Sequence, residues 1–112
     1  MRCQTELRDG EGIAGPEALV LFRIVQEALT NVARHAGATL VRIGLSADPG
    51  AAVLTVSDDG RGITVEEQAR PSSLGLAGMR ERALVLGGEV HLNGAPGAGT
   101  TVTARLPRTS PS

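Results

Sequence analysis

Between positions 17 and 36, Leu19, Phe22, Val25, Leu29, Val32, Ala33 and Ala36 recur at intervals of three and four, the spacing that lines one side of an α-helix. The pattern predicts a helix over 17–36 whose apolar stripe packs against another layer, with Gly37 placed to end it. Beyond it the period shortens to two. Residues 40–46 and 52–57 read as strands joined by a turn that holds Asp48, Pro49 and Gly50. In the second of these, Ala52, Leu54 and Val56 alternate with Val53 and Thr55, which suits a strand covered by helix on one side and bordering a pocket on the other. Residues 63–73 lose periodicity and read as a connection. Leu76, Met79, Ala83 and Leu86 then share one helical face, and Gly87 and Gly88 stop it, so a second helix is expected from 76 or 79 to 86. Strands are expected at 89–93 and 100–106, the last alternating Val102, Ala104 and Leu106 with Thr101, Thr103 and Arg105. Residues 2–7 are a candidate edge strand.

Helix, two strands, a connection, helix and two strands predict an α/β sandwich with helices packed on one face of a mixed, largely antiparallel sheet, and not a run of parallel βαβ units. A length of 112 residues fits one core. The expected domain is 1–107, with an N-terminal edge that could be incomplete, followed by a tail at 108–112.

Composition narrows the chemistry. A chain that is 41% hydrophobic and 21% charged is expected to fold and not to remain disordered. Its net charge of -1 and its single aromatic among Phe, Tyr and Trp, Phe22, argue against a nucleic-acid partner, which would need a basic surface and stacking platforms. Every cationic Lys/Arg position is arginine. Without lysine, neither a P-loop nor a protein-kinase fold has its phosphate-pairing group. Cys3 stands alone, and His35 and His91 do not make a zinc spacing. No run approaches membrane-helix length, so a cytoplasmic setting is expected, with a parent protein free to carry membrane spans elsewhere.

Asp58-Asp59-Gly60-Arg61-Gly62 follows a strand directly. A carboxylate at a strand end can accept a hydrogen bond from an exocyclic amine, and Gly60 and Gly62 would let backbone and ring approach closely. An ordinary tight turn accounts for the same residues. Glu27, Asn31 and His35 stand four residues apart, on a helical face other than the stripe. Asn31 offers a neutral oxygen for Mg²⁺, and Glu27 can orient or deprotonate an attacking group; plain solvated helix surface is the competing account. Gly75 and Leu76 lead into the second helix, where backbone N–H groups could cradle phosphate without lysine, and Arg80 and Arg82 could add charge or merely pair with Glu81. Gly99 and Thr100 open the last strand, either as hairpin residues or as a turn passing close to a nucleotide.

Four stretches in this order resemble the boxes of one family. Residues 22–36 resemble the N box, 58–63 the G1 box, 74–83 the G2 region and 97–100 the last glycine box. Together they are similar to the catalytic, ATP-binding domain of sensor histidine kinases, in the GHKL superfamily with the Bergerat fold, in the branch of the nitrate-sensor and DesK kinases. The resemblance spans roughly residues 16–107, and four ordered motifs are far more specific than one glycine pattern. It implies ATP and Mg²⁺ as cofactors, Asn31 at the metal, Asp58 on the adenine amine, Glu27 assisting the reaction, and 64–78 as a lid over the nucleotide. Ser72 and Ser73 depart from the usual lid pattern. The implied reaction moves the γ-phosphoryl group of ATP to a histidine on a separate helical dimerisation domain, and indirectly serves a response regulator. Alone, the chain is expected to be monomeric and inactive for want of that phosphoacceptor; His35 belongs to the N box and is not the acceptor. The alternatives are a stand-alone serine/threonine kinase of the anti-sigma-factor type and a nucleotide-binding module without catalysis.

Overall fold

The computed structural model describes residues 2–8, 15–33, 37, 39–47, 50–60, 76–94 and 99–107. They form strand β1 (Arg2–Arg8), helix α1 (Gly15–Asn31), strands β2 (Leu40–Ala47) and β3 (Ala51–Asp58), helix α2 (Leu76–Val85), and strands β4 (Glu89–Gly94) and β5 (Thr100–Pro107). The strands make one sheet in the order β1-β2-β3-β5-β4. β1 runs parallel to β2 and every other pairing is antiparallel, so the mixed sheet expected from the pattern is present. The candidate strand at 2–7 is the parallel edge of that sheet.

Both helices lie on one face of the sheet. α1 packs over β3 and β5, while α2 packs on β4, β5 and α1. Register explains which side chains meet them: the rows Val41 and Asp58, Ile43 and Val56, Leu45 and Leu54, Ala47 and Ala52 pair across β2 and β3. Successive residues of a strand point to opposite faces, so these rows share the helix side. Ala52, Leu54, Val56, Val102, Ala104 and Leu106 are buried there against Ile24, Met79 and Ala83. Residues of the other parity, including Arg42, Gly44, Thr55, Ser57 and Thr103, form the outer face. It carries an open depression of ≈ 560 Å³ lined by Gln4, Thr5, Arg42, Ile43, Gly44, Thr55 and Ser57. The expectation of β3 between helix and pocket thus finds a hollow on its outer side, away from the helices.

α2 follows its predicted face: Met79 and Ala83 are buried and Leu86 is half-buried. Its end is built by hydrogen bonds from Gly88 N to Ala83 O and from Gly87 N to Leu84 O, both 2.8 Å. This is the paired bonding of a Schellman stop, and it requires the left-handed backbone that Gly87 adopts at φ 76°.

α1 corrects the sequence reading. Leu19 and Phe22 of the predicted stripe are 58% and 57% exposed, and Ala33 is exposed too. The buried row is Leu21, Ile24, Ala28 and Val32, with Val20, Val25 and Leu29 half-buried beside it. Two apolar rows lie on this helix, offset around its axis, and spacing alone cannot rank them. Val32 belongs to both rows, and packing on the sheet and α2 buries the one centred on Leu21, Ile24 and Ala28. The rotation also moves Glu27 and Asn31. At about 100° per residue, Asn31 points within about 20° of Ile24 and Glu27 lies about 60° to the same side. They border the core and are not on a separate surface.

Candidate functional site

Asp58 ends β3 on the helix-facing side, paired with Val41 on one flank and Thr100 on the other. Three preceding residues of the same strand commit it to that direction: Ala52, Leu54 and Val56 occupy the core, so the next residue of their parity faces the same layer. The side chain is half-buried. Its Oδ1 accepts a hydrogen bond from Gly60 N at 2.8 Å, which orients the carboxylate. A carboxylate has about four acceptor positions, so the bond leaves capacity for an exocyclic amine.

Gly99 completes this corner. Its φ is 77°, and a Cβ placed on it would meet the Asp58 carbonyl oxygen and approach Asp59 Cα at 3.5 Å. The left-handed backbone and the close approach both demand glycine. Thr100, half-buried, stands directly across from Asp58. The start of the G1 turn and the end of the last glycine box, far apart in sequence, therefore meet: Asp58, Gly60, Gly99 and Thr100 are together.

Glu27 and Asn31 are half-buried on α1, one turn apart along the side that adjoins the buried row. Arg80, in α2, sends its Nε to the Val90 carbonyl of β4 at 3.4 Å, a long bond that ties helix to strand. Leu76 begins α2. Gly62 and Gly75 lie outside the described residues, as do His35, Ser72 and Ser73, the tail at 108–112 and all of the 64–78 lid before Leu76.

Asp59 was missed as a contributor. Its Oδ1 accepts from the backbone N–H groups of Thr39 and Leu40, both at 2.9 Å, and its Oδ2 from the Thr39 hydroxyl at 2.7 Å. Its own N–H donates to Leu40 O at 3.2 Å. The Thr39 hydroxyl first, and the Leu40 N–H next, hold the Asp59 carboxyl below the usual carboxylate range by bonding its charged form. Leu40, Arg42, Ser57, Asp58 and Asp59 line a smaller recess of ≈ 200 Å³ at this strand end. The available signal was the doubled aspartate. On a strand end only one of two neighbours can face inward, so the other must act elsewhere.

Among the described residues no three His, Cys, Asp or Glu side chains gather to cage a metal. None of the described helices is long and apolar enough to cross a membrane.

Residues 17–110 match the family model described as histidine kinase-, DNA gyrase B- and HSP90-like ATPase. The chain is 37% identical over 107 residues to the sensor protein VraS of Staphylococcus epidermidis, covering 96% of this chain and 30% of that one. It is 39% identical over 87 residues to VraS of Staphylococcus aureus, covering 78% and 25%. The chain thus spans less than a third of the length of these relatives. Among solved structures, the histidine kinase domain of the Erythrobacter litoralis EL346 blue-light activated histidine kinase superposes with TM-score 0.77 at 27% identity, over 94% of this chain and 54% of that one. The ATP binding domain of PrrB from Mycobacterium tuberculosis gives TM-score 0.71 at 27% identity, over 96% and 82%.

Proposed function

Because the chain belongs to the histidine kinase-, DNA gyrase B- and HSP90-like ATPase family, we propose that it holds Mg-ATP for a two-component sensor kinase and presents the γ-phosphate to a histidine on a separate helical dimerisation domain. The observation that carries this reading is the corner at Asp58: a half-buried carboxylate on the helix side of the sheet, oriented by Gly60 N and backed by Gly99. Asp58 accepts the adenine amine there. Gly60, Gly62, Gly99 and Thr100 allow the base and its surroundings to come close.

Asn31 and Glu27 serve the other end of the nucleotide. With no caging cluster among the described residues, a divalent ion at Asn31 needs further oxygens, and a triphosphate supplies the hard donors that Mg²⁺ takes. The residues present fit Mg²⁺ in that mode. The ion would draw charge off the β- and γ-phosphate oxygens. Glu27 orients the incoming imidazole and takes its proton as the nitrogen bonds to phosphorus. The bond from the γ-phosphorus to the β,γ-bridging oxygen breaks and ADP leaves. Gly75, Leu76 and Arg80 belong to the phosphate end in this reading. The phosphohistidine then supplies a response regulator, and the parent protein carries the remaining domains and any membrane anchor.

The test is to mix the chain with the helical domain of its parent protein and labelled ATP. Label is expected on a histidine, stable to base and lost in acid, and absent for Asn31→Ala. Tight Mg-ATP binding with no label, or acid-stable label on serine or threonine, would refute the histidine-kinase reading.

A further inference from the structure

Extended neighbours point to opposite faces, so the direction of Asp58 is set by the backbone at 58–60 and not by its own side chain alone. On the upstream side that backbone is held by the ladder to Val41 and Thr100. Downstream the ladder ends. Among the described residues the last main-chain bond, Asp59 N to Leu40 O, is 3.2 Å long, and Gly60 N is already engaged by Asp58. What continues the pairing is a side chain: the Asp59 carboxylate takes three donors from Thr39 and Leu40 at 2.7 to 2.9 Å. Ionised acceptors with bonds this short are roughly twice as strong as neutral ones. Thr39 is also where the chain returns to the sheet after α1, so one carboxylate joins the segment that follows Asn31 to the residue beside Asp58.

We propose that Asp59 is a positioning residue: its clasp on Thr39 and Leu40 aims the Asp58 carboxylate at the base and ties that corner to the start of β2. The inference rests on the reading of Asp58 as the acceptor for the adenine amine. Asp59 itself is exposed, and its carboxylate bonds go to Thr39 and Leu40. Removing it loosens Asp58, and what is lost is recognition of the amine more than grip on the phosphates.

A comparison of two ligands separates this from a general weakening. Affinities of the chain for ATP and for purine riboside 5′-triphosphate, which lacks the exocyclic amine, are measured by calorimetry for the unaltered protein and for Asp59→Ala, Asp59→Asn and Thr39→Val. The unaltered protein is expected to prefer ATP by about tenfold or more, the worth of a hydrogen bond to a charged group. Asp59→Ala is expected to bring that ratio to within about threefold of unity. Asp59→Asn keeps Oδ1 as acceptor and offers its amide to the Thr39 hydroxyl, so it restores the preference. Thr39→Val loses only the hydroxyl bond and gives an intermediate ratio, which decides the matter should Asp59→Ala not fold. A preference that survives in both Asp59→Ala and Thr39→Val, or equal weakening of both ligands, overturns the inference. An unaltered protein with no preference for the amine removes the role of Asp58 itself, a separate and recognisable failure.

Discussion

Gly99→Ala tests whether the corner at Asp58 depends on close backbone contact, and Gly87→Ala is its internal control. The two glycines have nearly equal φ, 77° and 76°. An alanine therefore meets the same left-handed backbone cost at each, about 1–2 kcal/mol. Their surroundings differ. At Gly87 the added Cβ would lie 3.6 Å from Pro107 Cγ, an ordinary contact. At Gly99 it would run into the Asp58 carbonyl oxygen, backbone that is laddered on both flanks and cannot turn aside. Forcing atoms into a packed place costs about a further 1–3 kcal/mol. Gly99→Ala should thus destabilise by about 2–5 kcal/mol and Gly87→Ala by about 1–2 kcal/mol. In a chain of this size each kcal/mol lowers the melting temperature by about 4–8 °C. Urea unfolding followed by circular dichroism, with the slope checked for constancy, measures both. The proposed site adds a second readout, since Gly99→Ala should weaken ATP binding and Gly87→Ala should not. Equal destabilisation within about 0.5 kcal/mol would refute the steric argument.

The corrected face of α1 predicts that Ile24→Ala, at 0% exposure, costs about 2–5 kcal/mol, while Phe22→Ala, at 57%, costs well under half as much in the same unfolding assay. For Asp59 the sign follows from its lowered value. The folded protein binds this proton less readily than the unfolded chain, so the stabilisation is fully present above the ordinary value of 3.8 and is lost as pH falls through the lower folded value. The stability gap between the unaltered protein and Asp59→Asn should be flat through neutral pH and shrink only below about pH 4; a gap that shrinks between pH 7 and 5 would assign the effect to another group. Glu27→Gln should retain nucleotide binding while slowing labelling of the partner histidine about 10²–10⁴-fold, measured by single-turnover phosphotransfer.

Alternation over short strands and three-four spacing in α2 were enough to place the sheet elements and the second helix, because period and breaker residues act locally. Four ordered motifs were enough to indicate the family. The active face of α1 was not legible. Leu19 and Phe22 are as apolar as Leu21 and Ile24, and the choice between rows depends on the shape of the sheet beneath them. The same choice determined that Glu27 and Asn31 border the core. Asp58 could be named from its place after a strand. Its inward direction, its contact with Gly99 and its neighbour Thr100 came only from register, which joins segments distant in the chain. The doubled aspartate flagged Asp59, but its partners were invisible for a similar reason: its three donors belong to Thr39 and Leu40, and no local pattern links a carboxylate to the strand start lying next to it. Local sequence determined elements and chemistry at single positions. Only packing decided which of those positions meet, since contacts between distant segments depend on the whole sheet.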